Sequence, residues 1–291
     1  TYNRAYTLVN CYNSLINQTD KRFKWMIIDD GSSDNTEDLV RRWEKEALIE
    51  IIYLKKKNGG KASALNLGIE HLDTEYAVCL DSDDVFYDNT VEIAESQLSA
   101  IESSDCCGIL ALRNNPDGSV MGHCSIPQKY KYITAADIFL YLNLETELIC
   151  FYKTSILKQY RFPEFEGEKF VSPAWMQYEI TQKYKFKTSW ERLCQCEYVA
   201  DGLTKNKRKV IVKNPYGYSC VKRYSFNLAP SIKLMIKHGI MYDCGCIIGH
   251  DKNWLKSVKH KFWAVILMPV AYVVYIKRFK GIQENREHML Q

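Results

Sequence analysis

Residues 81–84 read Asp-Ser-Asp-Asp and follow directly on the apolar run Tyr76-Ala77-Val78-Cys79-Leu80. Two carboxylates two residues apart at a strand end can meet one hard cation together with phosphate oxygens. Mg²⁺ and Mn²⁺ are commonly held in that way. Val85 and Phe86 stand where an EF-hand loop needs Asp or Asn and then Gly, so a calcium loop is excluded. A second acidic strand end, Asp29-Asp30-Gly31-Ser32, follows Trp25-Met26-Ile27-Ile28. Its carboxylates can accept from a nucleobase N–H or a ribose hydroxyl, or simply close an Asx turn. Asn58-Gly59-Gly60-Lys61-Ala62-Ser63 lacks the glycine that a Walker loop requires at the position of Lys55. Its small residues still let backbone approach a ligand, and Lys61 could meet a diphosphate or serve as a solvated cation at a helix start.

The elements that must position these residues are readable from periodicity. Leu8, Tyr12, Leu15 and Ile16 recur at helical spacing. A short strand over 25–28 leads through candidate N-caps at 32–36 into a helix marked by Leu39, Val40 and Trp43. Residues 49–54 form the next strand, Leu65, Ile69 and Leu72 line a helix face, and 76–80 are a third, buried strand. Strands alternating with helices predict βαβ units and a parallel sheet. In such sheets ligands bind beyond the carboxyl ends of the strands, where both acidic clusters lie.

The pattern then changes. Residues 107–112 and 119–124 read as strands about an Asn114-Asn115-Pro116-Asp117-Gly118 turn. Residues 134–142 read as helix, 163–172 as a functional loop, and the chain beyond about 215 as helices. The apolar run 262–276 contains Pro269 and is flanked by Lys256, Lys259, Lys261, Lys277, Arg278 and Lys280. It is short for a spanning helix, which needs about 20 residues. It fits a helix lying in a membrane interface with cations reaching anionic headgroups, or a buried core helix.

Composition constrains the remaining readings. The net charge of +4 on 291 residues gives no ground for nucleic-acid binding. Eleven cysteines without a CxxC pair, and no N-terminal secretory signal, fit a reducing compartment. Cys194-x-Cys196 and Cys244-x-Cys246 could ligate metal, but ordinary packing thiols are the simpler reading. Thr1-Tyr2-Asn3-Arg4 reads as the inside of a domain, so an N-terminally truncated chain is expected.

Five segments in order resemble glycosyltransferase family 2, the inverting enzymes of GT-A fold. They are residues 1–4, Ser14-Leu15-Ile16-Asn17-Gln18-Thr19, residues 28–34, residues 58–61 continuing through 64–69, and residues 80–84. Looser matches at 162–171 and Asp201-Gly202-Leu203-Thr204 look like bacterial members that build surface polysaccharides. The resemblance implies an α/β fold, with an open, mostly parallel twisted sheet flanked by helices and a helical C-terminal extension. It implies a catalytic domain over 1–214, with a nucleotide-sugar half at 1–105 and an acceptor half at 106–214. Residues 215–291 would be a membrane-associating region.

In that family scheme Thr1, Tyr2, Arg4, Asp29, Asp30, Lys61, Asp81 and Ser82 would bind a UDP-sugar, and Asp83 with Asp81 would hold Mn²⁺ or Mg²⁺. The acceptor would be a glycan or a lipid-linked sugar, at the cytoplasmic face of the cell membrane, with no nucleic acid involved. The sequence departs from the family in two places. Val171-Ser172-Pro173-Ala174-Trp175 carries no carboxylate where the general base is expected, which leaves Glu166 and Glu168 as candidates. The family's first strand is also missing, which would leave a groove or an exposed edge in the sheet. A catalytically impaired nucleotide-sugar-binding or scaffold member is therefore the alternative reading. A sugar nucleotidyltransferase is disfavoured because no Gly-rich, basic N-terminal phosphate loop is present.

Overall fold

The computed structural model describes residues 1–122, 125–144, 146–196 and 206–284. Cys124, the end of the strand expected at 119–124, and Asp201-Gly202-Leu203-Thr204 lie outside the described residues. The described chain forms two compact units. The first comprises Thr1–Thr134, Leu144–Arg161 and the described part of Glu179–Val199. The second gathers Ala135–Asn143, Phe162–Tyr178 and the described part of Ala200–Gln291.

In the first unit, α1 (Ala5–Ile16) precedes β1 (Lys24–Asp29), α2 (Thr36–Glu46), β2 (Glu50–Lys55), α3 (Lys61–His71) and β3 (Tyr76–Val78). The βαβ reading holds here, because β1 and β2 pair in parallel from Lys24↔Glu50 to Asp29↔Lys55. After a turn come β4 (Asp84–Phe86), α4 (Thr90–Ser99), β5 (Cys106–Asn114), β6 (Tyr132–Ile133), β7 (Leu148–Lys153), α5 (Thr154–Leu157) and, past an intervening segment, β8 (Lys185–Cys196). These strands build a mixed sheet of order β3-β7-β5-β8-β4, with β6 also paired to β8. β5 and β8 run parallel, while β7, β4 and β6 run antiparallel to their partners.

Among the described residues β1 pairs only with β2, and β3 only with β7. The free edge explains why β3 is half-buried along its length, where the apolar run had suggested a buried strand. At the C-terminal end of β1, Thr1 takes a strand-like place. Its amino group donates to the Ile28 carbonyl at 2.7 Å, and the Asp30 amide donates to the Thr1 carbonyl at 2.9 Å.

The core of this unit is built where the pattern puts it. Leu8, Tyr12 and Leu15 of α1 pack with Val40 and Trp43 of α2 and with Ile109 and Ala111 of β5. Tyr12 stacks on Trp43 with centroids 4.2 Å apart, and Trp25 lies 5.8 Å from Trp43. Gly108 admits no side chain, since a Cβ there would come within 1.9 Å of the Phe151 carbonyl oxygen at a φ of +148°. The β7 backbone can therefore approach β5 at that point.

The second unit is helical. A five-residue π-helix spans Asp137–Tyr141, and α6 is Ala174–Ile180, whose last two residues belong to the first unit. α7 (Lys207–Lys213), α8 (Pro215–Asn227), α9 (Ile232–Ile248) and α10 (Lys261–Tyr275) follow, and a π-helix (Ile276–Lys280) extends α10. Pro215 starts α8 at a position where its missing N–H costs nothing. Ser231 caps α9 by accepting from the Leu234 amide. Phe226, Met235, Tyr242 and Ala264 close one small core. Cys244, Ile248, Ala271 and Phe279 close another.

Candidate active site

Both acidic strand ends and the glycine loop converge in the first unit. Asp29 is fully buried, accepting from the Ser32 amide at 2.8 Å and from the Tyr53 hydroxyl at 2.5 Å. Burial and this carboxylate together push the Tyr53 hydroxyl pKa up. Asp30 is 4% exposed and accepts four donors from one loop. These are Lys56 Nζ at 2.9 Å, Asn58 Nδ2 at 3.1 Å, the Gly59 amide at 2.9 Å and the Gly60 amide at 2.7 Å. Gly31 makes this approach possible, because its φ is +83° and a Cβ there would lie 2.9 Å from the Asn58 nitrogen. The Asp30 side chain therefore fixes the loop that delivers Lys61 at the first position of α3.

Lys61 Nζ meets Asp81 Oδ1 at 2.6 Å. Arg113 Nη1 lies 3.9 Å from Asp81 and 2.7 Å from Asp84. Burial disfavours the charged form of each of these groups, yet the pair charges prevail. Asp81 sits below the usual carboxylate range and Lys61 above the usual ammonium value. Asp84 is different. Burial outweighs Arg113 and pushes its carboxyl up to about 6. The turn between them is closed by the Asp84 amide donating to the Asp81 carbonyl at 3.0 Å.

Asp83 projects from the same turn half-buried. Among the described residues its carboxylate takes part in no hydrogen bond or ion pair. It is thus the carboxylate of the cluster free to accept a cation, and the donor set suits Mg²⁺ or Mn²⁺. Asp81 is shared with Lys61, so its carboxylate is only partly available to a metal. Ser82 is half-buried in the turn.

The N-terminal segment leans on the other acidic turn, the one that follows β1. The Asn3 amide donates to Ser32 Oγ at 2.9 Å, its Oδ1 accepts from the Ser33 amide at 2.8 Å, and the Ala5 amide donates to Asp34 Oδ2 at 3.1 Å. Tyr2 is 48% exposed beside this junction, and Arg4 donates to the Tyr6 hydroxyl.

Glu166 and Glu168 belong to the second unit. The Glu168 carboxylate caps α8, accepting from the Tyr216 amide at 2.7 Å and the Gly217 amide at 2.8 Å. Glu166 is exposed in the same loop.

Asp84 was visible in the acidic cluster, but its partner Arg113 was not expected. A usable signal was present: an arginine inside the apolar strand Cys-Cys-Gly-Ile-Leu-Ala-Leu-Arg-Asn must find an anion when buried. The thiols of Cys194 and Cys196, 3.7 Å apart, face Asp84. Arg113 Nη1 is 3.5 Å from the Cys196 sulfur and already supplies the positive charge there, so these thiols pack rather than ligate. On α9, Cys244 and Cys246 join different cores and do not converge.

The family model for glycosyl transferase family 2 matches residues 1–161, more than half of the chain. The chain belongs to glycosyl transferase family 2. An uncharacterized glycosyltransferase of Rickettsia conorii is 40% identical over 104 residues, 36% of this chain and 16% of the relative. The poly-beta-1,6-N-acetyl-D-glucosamine synthase of Staphylococcus epidermidis is 36% identical over 88 residues, 30% of this chain and 21% of the synthase. The chain thus spans a minor part of the length of these curated relatives. Among solved structures, S. aureus TarS 1-349 in complex with UDP-GlcNAc superposes with a TM-score of 0.55 at 16% identity. That match covers 99% of this chain and 90% of the other. The mannosyltransferase PcManGT of Pyrobaculum calidifontis, in complex with GDP-Man and Mn²⁺, gives 0.56 at 15% identity over 95% of this chain and 73% of its own. These two likenesses show the GT-A fold.

Proposed function

We propose that this family 2 glycosyltransferase moves a hexosyl or N-acetylhexosaminyl group from a UDP-sugar, with inversion, to a hydroxyl of a glycan or lipid-linked acceptor in surface-polysaccharide synthesis. The observation that carries this reading is the open Asp83 carboxylate at the strand-end turn, beside a Lys61–Asp81 pair held at 2.6 Å. UDP-GlcNAc and Mn²⁺ in the two structural neighbours support the donor and the metal. The polysaccharide relative supports the class of product.

Asp83, with Asp81 beside it, would hold Mn²⁺ or Mg²⁺. When bound, the metal neutralises charge on the leaving diphosphate. The chain's own groups do the rest of the positioning. Asp30 fixes the 56–60 loop, Asp81 orients the Lys61 ammonium, and Lys61 and Arg113 offset the Asp81 and Asp84 carboxylates, which leaves the charge of Asp83 for a cation. Thr1, Tyr2, Arg4 and Ser82 complete the proposed nucleotide-sugar contacts, while Asp29, fully buried on the Ser32 amide and the Tyr53 hydroxyl, holds the turn behind them. A base must take the proton of the acceptor hydroxyl. Glu168 is engaged in capping α8, so Glu166 is the better candidate of the two loop acids.

The outer face of α10 supports a membrane surface as partner. The helix Lys261–Glu284 is long and apolar enough to cross a membrane, with a mean hydropathy of 1.5 over an 18-residue stretch of it. However, Ala264, Leu267, Ala271 and Phe279 pack inward while Phe262, Val265, Ile266, Val270, Tyr272, Val273 and Ile276 face out. A one-sided apolar face with Lys259, Lys261, Lys277 and Lys280 at its ends suits the interface of an anionic leaflet, here the cytoplasmic one.

One observation favours a second reading, a nucleotide-sugar-binding scaffold. The carboxylates of Asp29, Asp30, Asp81 and Glu168 are all engaged internally. Incubation with UDP-glucose, UDP-galactose and UDP-N-acetylglucosamine decides between them. Mn²⁺- or Mg²⁺-dependent release of UDP, abolished by chelator, is expected with at least one donor. Absence of release with every donor, in the presence of acceptor-bearing membranes, would sink the enzymatic reading.

A further inference from the structure

The loop 163–168 packs on the start of α8 within the second unit. Besides the Glu168 cap, the Phe165 ring stacks on Tyr216 with centroids 5.7 Å apart and 24° between planes. The Tyr216 hydroxyl donates to the Gly249 carbonyl at 2.7 Å. Trp175 of α6 is braced by Phe162 at 5.7 Å. These contacts hold open a cavity of about 300 Å³, walled by Phe165, Trp175, Tyr216 and Tyr242.

Two opposite charges share this aromatic cavity. Arg223 of α8 lines it half-buried and, among the described residues, makes no hydrogen bond or ion pair. Asp251, just beyond α9, lines it as well and spends one oxygen on the Asn253 amide at 2.8 Å. An apolar ligand would leave the guanidinium, which lies 5.6 Å from the Tyr224 ring centroid, and the second Asp251 oxygen without a polar partner, at a desolvation cost. An anionic ligand would meet Asp251. A ring with hydroxyls on its rim and C–H groups on its faces satisfies all the walls at once. Its hydroxyls accept from the guanidinium and donate to the carboxylate, and its C–H faces rest on aromatic rings.

We propose that this cavity seats a neutral pyranose ring, one residue of the acceptor glycan. The proposal rests on the glycan-acceptor reading above and adds the residues that would recognise it. All six groups lie beyond residue 161, outside the matched family model.

Saturation-transfer NMR with the methyl β-glycosides of glucose, galactose and N-acetylglucosamine, at millimolar concentration, tests it on the full chain. At least one glycoside should receive saturation on its ring protons. Affinity should fall fivefold or more in both Arg223→Gln and Phe165→Ala, with their thermal transitions still cooperative. No transfer from wild type to any of the three overturns the proposal, as does unchanged transfer in Arg223→Gln, the variant that keeps side-chain bulk. UDP titration of the same samples separates the two claims. Glycoside binding without UDP binding leaves the cavity standing and sinks the donor reading, and the reverse sinks the cavity.

Discussion

Asp30 shows how a carboxylate can shape a candidate ligand site by holding its backbone. It gathers two amides, one side-chain amide and one ammonium from residues 56–60. Removing it would strand those donors in a nearly closed space, where each unmade bond costs about 1–3 kcal/mol. Asp30→Ala should therefore lower unfolding free energy by roughly 3 kcal/mol, after relaxation of the loop and entry of water. Urea denaturation with an unchanged slope would report this as a shift in midpoint, and an unshifted midpoint would show that the loop holds itself. Asp81-Ser82-Asp83 was legible as a pair of carboxylates at a strand end. The inward turn of Asp30 was not, because nothing in Asp29-Asp30-Gly31 tells which backbone amides will come close from residues 59 and 60. Arg113 was legible in principle, since a guanidinium within a run of apolar strand residues needs a buried partner.

At the scale of elements, helices α1 and α2 and strands β1 and β2 follow directly from periodicity, whereas α3 buries Ala62 and Asn66 and leaves the Leu65, Ile69 and Leu72 face half-buried. Strand β3 is shorter and more exposed than its apolar sequence suggests because one edge is unpaired, and edge pairing is not written in a strand's own residues. The C-terminal helices carry a less visible feature. Asp243 of α9 is fully buried, and among the described residues neither carboxylate oxygen has a hydrogen-bond partner. Burial pushes its carboxyl up to about 8. A folded-state pKa above the unfolded value means the native state binds the extra proton between these two values. Stability is then greatest below the unfolded pKa of about 4 and is lost as pH rises toward 8. Asp243→Asn should flatten that decline, raising the melting temperature at pH 8 while changing it little at pH 4. An equal shift at both pH values would assign Asp243 a different role. For α10, Ile266→Asp and Val273→Asp place charge on the exposed apolar face without touching the packed one. Cosedimentation with phosphatidylglycerol vesicles should fall tenfold or more in the double variant, and retention at the wild-type level would remove the membrane from the account.

At the scale of the whole molecule, the two units carry separable chemistry. The first holds the acidic strand ends, the glycine loop and Lys61, and the family model matches residues 1–161. The second is assembled from three separated stretches of chain and holds the loop acids, the aromatic cavity and the apolar helix face. The sequence suggested halves at 1–105 and 106–214 and a C-terminal region at 215–291; in the structure residues 135–143 and 162–178 cluster with the C-terminal helices. Contacts so distant in sequence leave no local pattern. The donor half repeats a family's spacing, while the cavity of the other half depends on side chains brought together from α6, α8 and α9. The central claim is that Asp83 gives this fold a metal-dependent grip on UDP. Isothermal titration of UDP, with and without Mn²⁺, into wild type and Asp83→Ala tests it most directly. The account predicts binding that needs Mn²⁺ in wild type and weakens at least tenfold in Asp83→Ala. UDP binding of equal strength in both proteins, with or without the metal, would contradict it.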